Sequence, residues 1–327
     1  MTPPPLRTPP RSPREEGAAL ITALLVVALT VMLAVGMAEK QRLELRRTTR
    51  LGEYARAWQV ALGTEVVSRS ALIQDTDQDK LRSRPNIDAL GDEMFRPLVD
   101  LPVEGGLGKV SIGREDLQGR FNLNNLVTIP QGMPNGNEIN RFRRLLRNLG
   151  HTESLVDRVV DWIDPDMEVT HPDGAEDETY LNLTPPYRPA NRPMAQPQEL
   201  LRVKGFTREI YLTLAPYITA LPENTALNVN TAPVEVLRTL HEDFSLSSAL
   251  NLVELRGLKG FSNVQDFAGA CGRAGILPDN MAGLGVETRY ILSTAVVQWN
   301  DSRVILRSVM IRPPFWASVL HRVQETF

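Results

Sequence analysis

Residues 15–40 read EEGAALITALLVVALTVMLAVGMAEK, and the role of this stretch decides the fold. From Gly17 to Ala38 it carries no charged side chain, and two glutamates stand directly before it. As a helix the stretch is about 33 Å long, enough to cross the roughly 30 Å hydrocarbon core of a bilayer. The sequence therefore predicts a transmembrane helix over residues 18–38.

A cleavable secretory signal is the first alternative, because Gly36-Met37-Ala38 fits a small-x-small cleavage site. Signal peptides have apolar regions of about 7–15 residues, which is shorter than this stretch. On this alternative the protein would be a secreted enzyme whose mature chain starts at Glu39. The length of the apolar stretch favours a retained helix.

The charges that flank the span bear on its orientation. The leader carries Arg7, Arg11 and Arg14, and the segment after the span carries Lys40, Arg42, Arg46, Arg47 and Arg50. Taken alone, the positive-inside rule would put the large C-terminal part in the cytoplasm.

Beyond the span, apolar residues recur at steps of three and four, the pattern of a helix with one buried face. These residues are Leu51, Tyr54, Trp58, Ala61, Leu62 and Val66. We predict one helix from about Ala18 to Gln74, membrane-spanning first and packed on a core later. Two unrelated helices are the alternative.

Composition restricts the functional class. The 327 residues carry a net charge of −3, which does not indicate a nucleic-acid binder. The single cysteine, Cys271, excludes an internal disulfide and a multi-cysteine metal site, and we expect it to be buried. The sequence contains neither a G-x-S-x-G motif nor a P-loop, and we expect no enzyme.

Two regions alternate apolar and polar residues as strands do. Within residues 105–127 the apolar positions are Val110, Ile112, Phe121 and Leu123, and from Tyr290 onward the alternation continues on both sides of "NDS". We predict that these strands form one antiparallel sheet packed on the long helix. In "RFNLNNL", the asparagines at 122 and 124 are expected to bond the backbone.

Helical patterns fill the chain between these strands. Amphipathic helices are predicted at about 137–148 and 153–163. Further on, "PQELLR" at 197 and "PVEVLR" at 233 share the pattern P-x-E-apolar-L-R at an offset of 36 residues, which indicates two related helical units.

An acidic segment lies between the helices. Residues 157–178, DRVVDWIDPDMEVTHPDGAEDE, contain nine Asp or Glu and one Arg. Such a loop either stays spread out in water or binds a cation. It is not an EF-hand, because a loop counted from Asp164 has Val169 at position 6 and Ala175 at position 12.

Irregular calcium cages of six to eight oxygens remain compatible with this loop. Gly174 permits a turn that brings Glu176 and Asp177 back toward Asp164 and Asp166. These four carboxylates are the candidate ligands.

The second helical unit resembles the helix-hairpin-helix domains of competence-type DNA receptors in "ALNVNTA" and "GFSNVQDF". A membrane-anchored DNA receptor is therefore the rival function. A DNA-binding hairpin aims backbone amides at a phosphate through a Gly-apolar-Gly turn. Here the turn reads "TLHEDFSLS", with two acids and no glycine, so we expect no nucleic-acid partner. Lys204, Arg256 and Lys259 are then expected to be solvated surface charges.

The N-terminus, a charged leader followed by glycine and "AALITALLVVAL", resembles the type IV prepilins. In that family a cytoplasmic peptidase cuts after the glycine and methylates the new amino terminus, which implies cleavage between Gly17 and Ala18. Most members carry glutamate at the fifth mature position, where this chain has Thr22. That departure is shared by the minor pseudopilins of class K of type II secretion systems, which "D-x-D", "G-x-E-D…Y-L" and "DLQGRFNLNNL" also resemble.

The resemblance implies an α+β pilin-like fold, in which a long N-terminal helix packs on an antiparallel sheet and a large helical domain with helix-hairpin-helix or SAM-like units is inserted. The implied parts are a leader at 1–17, a helix at 18–74, a pilin-like domain at 75–124 and 286–327, and an insertion at 125–285 with units at about 137–220 and 226–285 and an acidic loop at 161–181.

The resemblance also implies a structural calcium ion, held by Asp164, Asp166, Glu176 and Asp177. The implied partners are the minor pseudopilins of classes I and J, the prepilin peptidase and the inner membrane. The chain would then cross the bacterial inner membrane once, with its C-terminal domain in the periplasm.

Thr22 indicates where this subunit would lie in a filament of stacked subunits. A buried N-terminal ammonium needs a partner charge, which the glutamate of a neighbouring subunit supplies. A subunit without that carboxylate cannot neutralise the amine of a subunit placed above it, so it belongs at the tip and would initiate assembly. The alternative is that Thr22 is merely a tolerated helix residue.

Overall fold

Helix α1 spans Pro13–Leu81 in one piece. The structure is a computed structural model that describes residues 13–81, 86–103, 105, 108–276, 278–312 and 317–326. Residues 1–12 of the expected leader lie outside this range. The prediction of one continuous helix is confirmed, and the alternative of two separate helices is wrong; the helix ends at Leu81 rather than at Gln74.

The first half of α1 contacts nothing else in the described chain. Its apolar side chains are exposed on every side, and an 18-residue window reaches a mean hydropathy of 2.8 with none of it buried. A helix that is apolar all round and unburied needs lipid or other apolar helices around it. The helix therefore qualifies by length and composition as a membrane span.

The second half of α1 packs on a sheet through Ala57, Ala61 and Leu72, which are fully buried. The predicted face is wrong at its ends, because Leu51 and Val66 are 63% and 55% exposed. Near Val66 the buried positions are polar: Thr64, Glu65 and Ser68.

Glu65 is buried beneath the sheet because its carboxylate is paired there. Its Oε1 accepts hydrogen bonds from Ser308 Oγ at 2.6 Å and from Arg322 Nε at 2.7 Å. Burial raises the pKa of Glu65, but these bonds outweigh it and hold the pKa below its usual value. A buried acid that is fully bonded in this way is tolerated in a core.

Five antiparallel strands form the main sheet in chain order, a meander. They are β1 Leu98–Pro102, β2 Gly108–Asp116, β3 Tyr290–Trp299, β4 Ser302–Ile311 and β5 Ser318–Thr326. The predicted hairpin at "NDS" is confirmed as β3 and β4, which turn at Asn300 with its φ of 48°. One face of the sheet, with Ala295, Val297 and Leu306, covers α1.

The prediction that Phe121 and Leu123 belong to this sheet is wrong. The chain leaves the sheet after Asp116, since Phe121–Asn122 pair in parallel with Ile218–Thr219 and Leu123–Leu126 form a 3-10 helix. The Phe121 ring stacks on Phe142 at 5.2 Å between centroids, so burial in the helical part draws it away from the sheet.

The helical insertion has two hydrophobic cores. Its helices are α2 Gly136–Asn148, α3 Leu155–Ile163, α4 Asp177–Leu181, α5 Arg208–Leu214, α6 Val234–Leu237, α7 Leu246–Arg256 and α8 Val264–Arg273. The core of the first unit runs from Phe121 to Ala220, and that of the second from Leu227 to Leu284, with Cys271 fully buried in it. The sequence pattern predicted that the first unit begins at about residue 137, but the unit begins earlier.

The two asparagines near 122 bond the backbone as predicted. Asn124 donates to the carbonyls of Met194 and Leu221 at 2.9 and 2.8 Å and accepts from Met194 N at 2.8 Å. Asn122 Oδ1 accepts from the amides of Asn124 and Leu221. These bonds tie the two ends of the first unit together.

Both repeats form short helices. The first is a 3-10 helix, Pro197–Arg202, and the second is α6 continued by a 3-10 turn. Lys204 and Lys259 are exposed as expected, but the expectation for Arg256 is wrong. Arg256 is 6% exposed and donates to the carbonyls of Val229 and Ala232, so it supports the turn at "NVNTA" from inside.

Candidate functional site

The expected processing site lies on the free part of α1. Ala18 and Thr22 are exposed, and Gly17 lies within the helix. The Thr22 hydroxyl donates back to the carbonyls of Ala19 and Ala18 at 2.9 and 3.1 Å. Thr22 therefore satisfies its own polar group and offers no charge to a neighbour.

Asp161, near the end of α3, organises the acidic loop. Its carboxylate accepts from Thr170 N at 3.0 Å and from Ala175 N at 2.6 Å. It thereby holds both arms of the loop against α3. In the sequence Asp161 is one acid among the nine of residues 157–178, and its spacing of three residues before Asp164 is the one available signal of its role.

Gly174 is required here for space, since its backbone has an ordinary φ. A Cβ at this position would stand 2.2 Å from Asp161 Oδ2 and 2.5 Å from Thr170 O. Only glycine lets the returning arm approach α3 so closely. The predicted turn back toward Asp164 is present, with close packing as its cause.

Three of the four predicted carboxylates meet at this turn. One oxygen from each of Asp164, Asp166 and Glu176 lies within 4.8 Å of the others. Asp164 and Glu176 are 2% and 3% exposed, whereas Asp166 is exposed. Asp164 Oδ1 and both carboxylate oxygens of Glu176 have no hydrogen-bond partner in the described chain.

The fourth predicted ligand, Asp177, is engaged elsewhere. Its Oδ2 accepts from Arg188 Nη1 at 2.7 Å. Asn191, which the sequence did not indicate, is bonded to the trio's backbone, since its Nδ2 donates to the Asp166 carbonyl at 2.9 Å. The Oδ1 atom of Asn191 is buried without a partner in the described chain.

The electrostatics of the trio are unfavourable for the bare protein. Burial, followed by the charges of Asp166, Asp161 and Glu176, raises the pKa of Asp164 to about 7. Burial, together with Asp161 and other nearby acids, raises the pKa of Glu176 to about 7 as well. Buried like charges with unpartnered oxygens need protons or a cation.

These donors fit a hard divalent cation. All of them are oxygens, which calcium and magnesium prefer and which softer metals do not select. The orphaned oxygens of Asp164 and Glu176 are the observation that makes the fit specific. Calcium accepts irregular oxygen cages, whereas magnesium requires near-ideal octahedral geometry.

The long helix, exposed over its apolar half and packed by its polar half on an antiparallel meander, defines a pilin-like protein. Two family models, both described as type II secretion system protein K, match residues 119–223 and 227–287. Type II secretion system protein K of Pseudomonas aeruginosa is 36% identical over 91% of this chain and 89% of its own length. The protein of that name from Aeromonas hydrophila is 33% identical over 93% and 95%.

The chain therefore belongs to the type II secretion system protein K family, the minor pseudopilins of that system. The crystal structure of the GspK-GspI-GspJ complex from enterotoxigenic Escherichia coli contains a chain with the same fold. Its TM-score is 0.70 at 23% identity, covering 86% of this chain and 100% of that one. Membership of this family supports the pseudopilin interpretation over the alternative of a DNA receptor.

Proposed function

We propose that this minor pseudopilin occupies the tip of the pseudopilus and initiates its assembly with the minor pseudopilins of classes I and J. The observation that carries the proposal is Thr22, whose hydroxyl is turned onto its own helix. Between residues 18 and 38 the helix offers no carboxylate to the ammonium of a subunit above. The chain of similar fold was crystallised in a complex of GspK with GspI and GspJ, which supports the choice of partners.

Placing a carboxylate at this position tests the tip. In Thr22→Glu, subunits can stack above the protein, so antibody label should move from the ends of sheared pseudopili into their interior. Thr22→Gln is the matched control, because it has the size of glutamate without the charge, and its label should stay at the ends. If Thr22→Glu also labels only ends, the missing carboxylate does not define the tip.

We propose further that the prepilin peptidase cuts between Gly17 and Ala18 and methylates Ala18. A peptidase on the cytoplasmic face requires the leader to be cytoplasmic, which puts the C-terminal part in the periplasm against the bias of the flanking charges. The mass of the mature amino terminus tests this proposal. An N-methylated Ala18 is expected, and a chain that starts at Glu39 or keeps Met1 overturns it.

We also propose that Asp164, Asp166 and Glu176 hold a structural calcium ion. The ion would supply the positive charge that the buried trio lacks and would fix the end of α3 to the start of α4. In this proposal the protein performs no catalysis: it is cleaved, packed among helices and clamped by calcium.

A further inference from the structure

The free half of α1 continues as a charged helix where the candidate membrane span ends. Residues 39–50 read EKQRLELRRTTR, and every one of them is exposed. None of the cationic residues in this segment forms an ion pair within the part of the chain that the structure describes. There are five of them: Lys40, Arg42, Arg46, Arg47 and Arg50.

The helix gathers these five cations on one side, which we call the basic face. At about 100° per residue, Arg42, Arg46 and Arg50 lie in one row at steps of four, and the other two lie beside that row. All five fall within an arc of about 160°. Glu39 lies on the same arc and Glu44 at its border, so cations outnumber acids on this face. The opposite side carries no charge at Gln41, Leu45 and Thr48.

The basic face begins where the hydrocarbon core of a bilayer would end. With residues 18–38 in the core, a rise of 1.5 Å per residue puts Lys40 about 3 Å and Arg42 about 6 Å beyond it. That is the depth of the headgroup layer, which is about 5–8 Å thick on each side. Arg46 and Arg47 stand about 12–14 Å out, where long side chains reach back toward the phosphates and a Debye length of about 10 Å still allows attraction.

We propose that the basic face of α1 binds the anionic headgroups of phospholipids, at the membrane surface from which the helix emerges. Guanidiniums donate in pairs to phosphate oxygens, and these ones have no ion-pair partner in the described chain. The contact would fix the depth of α1 and tilt it toward its basic face.

An acidic protein surface is the alternative occupant. The position of the cations favours lipid, because the row starts directly at the boundary of the core and meets headgroups before it meets a neighbouring protein. The proposal rests on α1 being a retained membrane span, and it is independent of the place of the subunit in a filament and of calcium.

Spin-labelled lipids test the proposal with the full chain in phosphatidylcholine vesicles. A trace of labelled phosphatidylglycerol reports the association of an anionic lipid with α1, and labelled phosphatidylcholine is the zwitterionic reference. In electron paramagnetic resonance spectra at low salt, phosphatidylglycerol should associate at least about fivefold more strongly, which is the effect of one cation at a charged surface. The ratio should fall toward one at about 0.5 M salt, because exposed charges are screened.

Replacing all five cations with glutamine should bring this ratio close to one without disturbing the fold, since this part of α1 is exposed on every side and glutamine favours helix as they do. The variant combines Lys40→Gln, Arg42→Gln, Arg46→Gln, Arg47→Gln and Arg50→Gln.

The matched control removes the same charges from exposed positions of the helical insertion and should keep the native ratio. It combines Arg192→Gln, Arg202→Gln, Lys204→Gln, Arg208→Gln and Arg273→Gln.

Two soluble competitors identify the source of the anion. Hexaglutamate stands for an acidic protein surface and glycerol phosphate for a free headgroup, and neither should displace phosphatidylglycerol when added in the molar amount of the labelled lipid. Displacement by either one overturns the proposal, and so does a native ratio in the variant without the five cations. Equal restriction of both lipids overturns the proposal but leaves the span in place, whereas the absence of any restricted lipid overturns the span as well.

Discussion

Replacing Arg312 with methionine will lower the free energy of unfolding by about 3–5 kcal/mol, because the change leaves the buried carboxylate of Asp88 without its counter-charge and removes one partner of Asp75. Arg312 follows β4 and donates to Asp75 of α1 at 2.7 Å and to Asp88 at 2.5 Å. The side chains of Asp75 and Asp88 are 15% and 0% exposed, so water cannot replace the lost partner. Urea unfolding measures the effect.

This ion pair belongs to the junction between the pilin-like part and the second helical unit. The Asp88 carbonyl accepts from Asn228 Nδ2 at 3.0 Å, and the same amide donates to buried Asp116 at 2.8 Å. Asp88 also accepts from Thr288 N at 2.6 Å. Losing Arg312 therefore weakens the junction as well as the end of α1.

The cost of Arg312→Met will depend on pH. Burial raises the pKa of Asp88 from 3.8 to about 7, with Arg312 acting against it. Below about pH 4 the carboxyl is protonated in both states; as the pH rises toward the folded-state pKa, the unfolded state ionises first and stability falls. Without Arg312 the pKa of Asp88 rises further, so the loss of stability should be larger at pH 8 than at pH 5.

Two further variants separate charge from packing. Arg96→Met removes an exposed arginine whose pair with Glu93 is 3.4 Å long, and it should cost less than about 1 kcal/mol. Adding Asp88→Asn to Arg312→Met should recover part of the loss, because the amide needs no counter-charge. A loss that is independent of pH and unchanged by Asp88→Asn would contradict the explanation.

The long helix and the closing hairpin could be predicted because their signals are local and periodic. Strand β1 could not be predicted. It is a short edge strand that ends in Pro102, has a positive φ at Asp100 and pairs with a shifted register. Such a strand shows little alternation in its own sequence, and its pairing depends on β2.

The burial of charged residues could not be predicted from the sequence, for a different reason. Glu65 is buried because Arg322, 257 residues away, reaches it, and Arg256 is buried because the carbonyls of another turn accept from it. A charged side chain is expected to be exposed until its distant partner is known. The predicted stripe on α1 therefore failed at Val66, next to Glu65.

The sequence predicted which segment forms the acidic site, but not which of its carboxylates face the site. Asp164, Asp166 and Glu176 converge as the sequence analysis expected, since the loop must return at Gly174. Asp177 follows Glu176 directly, yet its side chain forms an ion pair with Arg188 and does not join the trio. Which of two adjacent acids faces inward depends on where α4 begins, and the sequence does not determine that boundary.

Chelating calcium with EGTA will lower the melting temperature of the protein by roughly 5–10 °C. A ligand at about 100 times its Kd adds roughly 2.7 kcal/mol to folding, and each kcal/mol corresponds to roughly 2–4 °C for a domain of this size. Scanning calorimetry with calcium, with magnesium and with EGTA measures the shift. Magnesium should restore less of it, because the irregular trio does not provide octahedral geometry.

The size of the calcium effect should follow the titration of the trio. Burial and neighbouring acids raise the pKa of both Asp164 and Glu176 to about 7. In the calcium-free protein these groups destabilise the fold progressively from about pH 4 upward and fully above about pH 7, where the folded protein must also ionise them. The proposed calcium ion would remove that cost, so its stabilisation should be larger at pH 8 than at pH 5.

Variants of neighbouring residues decide whether the trio is the site. Asp164→Asn and Gly174→Ala should abolish the calcium shift, the first by removing a ligand and the second by pushing the loop away from Asp161. Asp177→Asn should retain it, since that carboxylate is paired with Arg188, and Gly136→Ala, with open space around its Cβ, should behave like the native chain. If Asp177→Asn removes the shift as completely as Asp164→Asn, calcium binds a different set of ligands. If the native chain melts at the same temperature with EGTA as with calcium, the loop holds no calcium.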